Sequence, residues 1–165
     1  SVRNHLVDIN ARIQSIALIH DLLYQTAAPG SIEMTSYIPK LITMVCSSFW
    51  TGPVPVQFTY DIEQVILPTA ETIPLGLMIN EIMTNAIKYG LKGSHNPELL
   101  VKLKKSGQKK LRFVMGDNGP GITPDDKQKG SGIGLRIINL LVQQLGGTMK
   151  VDSDNGVTYM IDFPV

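Results

Sequence analysis

The chain has 165 residues, enough for one domain with a real core and too few for two large ones. Charged residues make up 18% against 43% hydrophobic, with a formal net charge of +1, so the electrostatic footprint of a dedicated nucleic-acid binder is missing. One cysteine, Cys46, on an apolar stripe excludes an internal disulfide and reads as a core residue in a reducing compartment, while no run reaches membrane-span length and no signal peptide opens the chain.

From about Val2 to Gln25, the residues Leu6, Ile9, Ile13, Ile16, Ala17, His20, Leu23 and Tyr24 recur at i, i+3, i+4 spacing. This predicts one long amphipathic helix, ended by TAAPG. The pattern is already running at Val2, with no initiating Met and no cap before it, so a piece of a longer protein is expected. A second helix is predicted from about Ser36 to Phe49, with Thr35 as N-cap and Pro39 near its first turn. After the loop TGPVP, VQFTYDI alternates as a strand and is followed by VIL and Pro68.

A third helix is predicted from Glu71 or Thr72 to Gly90. LLVKLKK and LRFVMGD then read as paired strands around the turn SGQ, which makes the cluster Lys102, Lys104, Lys105, Lys109 and Lys110 a solvated hairpin. ITPDDKQKGSG reads as a loop and Ile133 to Leu145 as a helix closed by GG. TMKVDS and VTYMIDF form a hairpin around DNG. Adjacent strand pairs imply a largely antiparallel or mixed sheet with helices on one face, an α+β two-layer sandwich, and the first helix is expected to lie outside it. The expected division is residues 1–28 and 29–165.

Within the third helix, NEIMTNAIKYG carries an unusual strip. At about 100° per residue, Asn80, Glu81, Thr84, Asn85 and Lys88 share an arc of roughly 140°, and Ile79, Ile82, Met83, Ala86 and Ile87 take the other side. An ordinary solvent face carries more Lys and Glu and fewer Asn. Two glycine-rich segments follow. DNGPGI comes off a strand, and GSGIGL opens a helix, where free N–H groups and the helix dipole favour phosphate; a triphosphate is the natural ligand. GSGIGL is not a dinucleotide fingerprint, and no P-loop occurs anywhere in the chain. Asp117, at a strand end, is either the start of an Asn-Gly turn or an acceptor for an exocyclic amino group such as that of adenine.

NEIMTNAIKYG, DNGPGI and GSGIGLRIINLLVQQLGG, in this order, closely resemble the N, G1 and G2 boxes of the sensor histidine kinase ATP-binding domain. That domain belongs to the superfamily that includes gyrase, MutL and the Hsp90 chaperones. The resemblance spans about Thr69 to Phe163, and RIQSIALIHDLLY, Arg12 to Tyr24, resembles the second dimerisation helix of one histidine kinase subgroup. It implies a Bergerat-type ATP-binding fold, with residues 1–28 from the dimerisation region and 29–165 as the catalytic domain.

The resemblance further implies ATP and Mg2+ as ligands, with Glu81 as the acid/base residue and Asn85 as the metal ligand. Lys88 would neutralise phosphate charge, and Tyr89 would stack on adenine. Asn80 is either a metal-side group or a loop hydrogen-bonder. Asp117 would contact the adenine amino group, Gly119 and Gly121 would shape its pocket, and Gly132, Gly134 and Leu135 would line the phosphate side. Thr158 matches a threonine that supports the adenine site, although it is also an ordinary strand residue. The segment Thr123 to Lys129 is short and lacks the phenylalanine of many kinase lids, so weaker closure over nucleotide is expected.

Partners implied in the same way are a response regulator receiver domain and a second copy paired through the first helix. Neither nucleic acid nor direct membrane contact is expected, and the location is cytoplasmic, in a parent either soluble or membrane-anchored. The family's phosphoacceptor histidine lies on the first dimerisation helix, which is expected to be absent. His20 matches a non-acceptor bundle histidine, His5 stands too close to RIQSIALIH, and His95 reads as exposed. Two rivals share the boxes: a non-catalytic phosphotransfer or interaction module, and a serine kinase of the anti-sigma type, which lacks a dimerisation helix. A gyrase-like or Hsp90-like ATPase would need a following domain to reach the γ-phosphate.

Overall fold

The computed structural model describes residues 2–25, 30–122 and 132–165. Its helices are α1 (Val2–Gln25), α2 (Met34–Phe49), α3 (Thr69–Asn85) and α4 (Ile133–Gln144), and α3 runs directly into a π-helical turn, Ala86–Gly90. The strands are β1 (Ser31–Glu33), β2 (Gln57–Ile62), β3 (Ile66–Pro68), β4 (Glu98–Gly107), β5 (Lys110–Asp117), β6 (Thr148–Asp152) and β7 (Thr158–Pro164). The expectations for Thr123 to Lys129, for Gly130 and for the boundary after residue 28 lie outside the described residues, as does the side chain of His5.

Five strands form one sheet in the order β2-β4-β5-β7-β6. β2 runs parallel to β4 and the other neighbours are antiparallel, which is the mixed sheet expected of an α+β sandwich. A parallel pair needs a long crossover, and here β3, α3 and the π turn supply it. That crossover lays α3 against the sheet. Alternation selects the covered face: Leu99, Val101 and Leu103 of β4, Leu111, Phe113 and Met115 of β5, and Tyr159, Ile161 and Phe163 of β7 are buried beneath the helices. Each such side chain contributes about 1.5–3 kcal/mol through its burial. On the opposite face Arg112 and Asp162, cross-strand partners in register, pair through two 2.8 Å bonds.

Three local details differ from the sequence expectation. β1 and β3 pair as a separate two-stranded ribbon; three residues each are too few to show an alternation. Because β1 leads straight into α2, the N-cap is Glu33 and not Thr35: the Glu33 carboxylate accepts from Thr35 N at 3.0 Å and Ser36 N at 3.1 Å, reaching two otherwise orphaned N–H groups. α3 likewise begins at Thr69, not at Glu71 or Thr72, since the ribbon holds the chain up to Pro68. Pro74 therefore sits in the second turn, where it has no N–H to return to Ala70.

Most of the expected apolar stripe of α1 is its outer face, with Leu23 alone of the stripe's leucines and isoleucines packed against the core. Leu6, Ile9, Ile13, Ile16 and Tyr24 are at least half exposed, whereas Ile19 and Leu22 are buried in the core shared with α2 and α3. α1 is thus docked on the sandwich by a second apolar face, contacting both α2 and α3, rather than lying apart from it. His20 is exposed, with its ring 4.7 Å from that of Tyr24. Cys46 is buried, as expected, and burial pushes its thiol pKa up. No helix among the described residues is long and apolar enough to cross a membrane.

Candidate functional site

The polar strip of α3 faces a cavity of about 500 Å3, bounded also by the π turn, the end of β5, the start of α4 and the β6–β7 edge. The volume is within the ordinary range for a small-molecule pocket. Asn80 and Glu81 are buried, at 3% and 6% exposure, so the strip is an interior surface and not a solvated helix side. Asn80 Oδ1 is buried without a hydrogen-bond partner among the described residues, which costs free energy unless a ligand or water completes it.

The helix changes pitch where it leaves Asn85. Leu91 N donates to Ala86 O at 2.7 Å, a bond spanning five residues, and π turns of this kind recur at functional sites. Lys88, Tyr89 and Gly90 of this turn all line the cavity. Tyr89 remains 54% exposed, at the rim.

Asp117 ends β5 at the other side of the cavity, only 9% exposed. Its Oδ1 accepts from Gly119 N at 2.9 Å and from Val157 N at 3.4 Å. Burial pushes its pKa above the usual aspartate value, and the two backbone N–H groups pull part of the way back. Glycines make room for it. A Cβ on Gly90 would stand 2.6 Å from Asp117 Cγ, a Cβ on Gly156 would meet the Asp117 carbonyl oxygen, and Gly119 packs directly on the Gly90 backbone. Gly121, at φ +81°, lines the cavity and leaves no space for a side chain against Ser153 O.

The third wall is the start of α4. Gly132, at φ +65°, is its N-cap, and among the described residues no side chain caps the first N–H groups, the kind of helix start that favours an anion. Gly134 brings this helix end against α3: a Cβ there would lie 3.3 Å from Asn85 Oδ1 and 3.4 Å from Glu81 Oε2. Tyr159 on β7 lines the cavity together with Asn85.

Of the residues singled out in the sequence, Glu81, Asn85, Lys88, Tyr89, Asp117, Gly121, Gly132, Gly134 and Leu135 line this one cavity. Gly119 and Thr158 stand just behind it, Gly119 under Asp117 and Thr158 against Gly116. Sequence reasoning missed the wall residues Arg12, Val151, Ser153, Val157 and Tyr159. Tyr159 carried a usable signal, since it stands two residues after Val157, another lining residue, on the strand that begins beside Asp117. Arg12 carried none: it reaches the site from α1, where its guanidinium Nε donates to Glu81 Oε1 at 2.9 Å.

Two family models match the chain. One, described as "Histidine kinase-, DNA gyrase B-, and HSP90-like ATPase", covers residues 70–165, and the other, described as "Histidine kinase", covers residues 1–49. Blue-light-activated histidine kinase 2 of Erythrobacter litoralis is 24% identical over 163 residues, covering 95% of this chain and 46% of that protein. Sensor histidine kinase Hik2 of Synechocystis is 32% identical over 113 residues, covering 58% of this chain and 26% of that protein. The chain thus spans less than half the length of these curated relatives. Among solved structures, the histidine kinase domain of the Erythrobacter litoralis EL346 blue-light activated histidine kinase superposes with a TM-score of 0.75 at 23% identity. That match covers 94% of this chain and 73% of the other, and shows a shared fold.

Proposed function

The chain belongs to the family of histidine kinase-, DNA gyrase B- and HSP90-like ATPases, and from that premise we propose that it is the ATP-binding catalytic part of a two-component sensor histidine kinase. The observation that carries this reading is the convergence, on one cavity, of the Glu81–Asn85 strip, the Asp117 carboxylate and the open N-terminus of α4. Asp117 reads the adenine amino group, Tyr89 covers the base, and Lys88 and the α4 N–H groups take the phosphates. Glu81 takes the proton from an attacking imidazole as the γ-phosphoryl group moves to it. The phosphoryl group then passes to an aspartate of a response regulator receiver domain. The exposed stripe Leu6, Ile9, Ile13 and Ile16 is the surface through which a second copy pairs.

The donor set suits Mg2+. No group of three or more His, Cys, Asp and Glu capable of holding a metal occurs among the described residues, so a soft-metal cage is not on offer. Instead the wall presents the Asn85 amide and the partnerless Asn80 Oδ1, few hard oxygens that leave the remaining shell to phosphate and water. When bound, the ion neutralises charge on the phosphates. Asn85 would hold it through its side-chain oxygen, with Asn80 on the same wall.

Calorimetry with Mg-ATP tests the reading: the chain should bind it, and Glu81→Gln should bind at least as tightly while supporting almost no phosphoryl transfer to a supplied acceptor domain. His20 is eight residues beyond Arg12, about 12 Å further along α1, so incubation with γ-labelled ATP should leave no acid-labile phosphohistidine on it. Loss of Mg-ATP binding in a normally melting Glu81→Gln protein would contradict the division of roles.

The raised Asp117 pKa gives a pH signature. Adenine's amino group needs the ionised carboxylate, so binding weakens as pH falls through the Asp117 pKa, which stands above the ordinary aspartate value of 3.8. Asp117→Asn should cost about 1–3 kcal/mol of ATP affinity at neutral pH. That cost should shrink on acidification, because a protonated Asp117 is as neutral as the asparagine, while protonation of ATP itself is common to both proteins and cancels. A ratio that stays constant down to the pH at which the protein itself unfolds would argue against an ionised Asp117 at the base.

A further inference from the structure

The Arg12 guanidinium grips both oxygens of Glu81, with Nε to Oε1 at 2.9 Å and Nη2 to Oε2 at 3.3 Å. The pair is enclosed: the Glu81 side chain is 7% exposed and that of Arg12 29%. A base whose two oxygens are held by a fixed cation cannot turn freely to an incoming proton. Yet Arg12 is not sealed behind Glu81. It lines the cavity itself, bonded to Glu81, which with Asn85 lies against the start of α4. A guanidinium matches phosphate as well as it matches carboxylate, in the same forked geometry.

We propose that Arg12 is a ligand of the terminal phosphate of ATP, carried into the site by α1, and that it passes from Glu81 to that phosphate when the triphosphate binds. The proposal rests on reading the cavity as a nucleotide site. Its logic is an exchange of partners. Without nucleotide, the buried Glu81 charge is compensated by Arg12, as a buried carboxylate requires. With ATP present, the terminal phosphate offers a stronger, more highly charged acceptor, and the transfer uncovers the Glu81 carboxylate at the moment a base is needed. ADP lacks that phosphate and leaves the pair closed. Because Arg12 is anchored on the same helix as Ile19 and Leu22, the docking of α1 and the presence of the γ-phosphate become thermodynamically coupled.

The test is calorimetric titration of the chain with Mg-ATP and Mg-ADP, comparing the parent, Arg12→Ala, Arg12→Lys, Glu81→Gln and the Arg12→Ala/Glu81→Gln double variant. Arg12→Ala should lose about tenfold in ATP affinity with ADP changed less than about twofold, and Arg12→Lys, which keeps the charge but not the fork, should fall between. Glu81→Gln should tighten ATP by a few-fold, since the guanidinium no longer has to leave a carboxylate, and this gain should vanish when Arg12 is also removed. Equal losses for ATP and ADP in both Arg12 variants, or tighter ATP binding in Arg12→Ala, would overturn the exchange while leaving the nucleotide site standing. No binding of either nucleotide by the parent chain would remove the site and the exchange together. Should Arg12→Ala melt early, the ATP-to-ADP ratio of Arg12→Lys decides alone.

Discussion

Asn85→Ala is expected to weaken Mg-ATP binding on the order of a hundredfold, about 3 kcal/mol, while binding measured in EDTA changes little. The asymmetry follows from what Asn85 is. It carries no charge, so it adds little to the attraction of bare phosphates. Its value lies in an amide oxygen held at a set position, at the end of α3 and opposite Gly134. A hard cation rewards such preorganised oxygens and loses more than a simple contact when one is deleted. Asn85 is only half-buried and sits at the close of a helix, so alanine there should fold normally and the melting temperature serves as control. Equal losses with and without Mg2+ would place Asn85 on the nucleotide instead of the metal. Loss only in the presence of Mg2+ would establish the Asn85 amide as the group that holds the metal.

What could be read in advance, and what could not, divides along the range of the interaction. The sheet was legible because β4, β5 and β7 alternate over seven residues or more, and a period of two is a local property. The strip on α3 was legible for the same reason, with a period of 3.6. β1 and β3 were not: three residues carry no period, and their pairing joins segments more than thirty residues apart. On α1 the regular apolar face through Ile9, Ile13 and Ile16 was legible and is the face left open, whereas the short face of Ile19 and Leu22 that docks the helix was not, because two residues carry no period. Arg12 is the extreme case. Its partner is 69 residues away, and on its own helix it looks like any surface arginine. Gly90 lies between these limits, since the sequence announced a helix stop but concealed why the stop must be a glycine.

Gly90→Ala should therefore damage ATP binding more than Asp117→Asn does, although it changes no chemical group that touches the base. The Gly90 backbone is not in the left-handed region, so the substitution is not costly through φ. The cost is space. The added Cβ would stand 2.6 Å from both Cγ and Oδ1 of Asp117 and 2.8 Å from Oδ2, well inside contact distance. The carboxylate cannot swing clear without giving up the bonds from Gly119 N and Val157 N, and the backbone of Gly90 cannot retreat because Gly119 is packed on it. Overpacking of this kind costs about 1–3 kcal/mol of stability, and releasing a charged acceptor from its donors costs a comparable amount. ATP affinity should fall by at least about fiftyfold, with the melting temperature lowered as well, whereas Asp117→Asn should lose affinity with little change in melting. Pairing the two substitutions provides the check. If Gly90 acts by displacing Asp117, adding Gly90→Ala to an Asp117→Gly background, where the carboxylate is gone, should cost almost nothing further in either measurement. A full additional loss there would mean that the glycine serves the π turn itself, through Leu91 N and Ala86 O, and not the aspartate it faces.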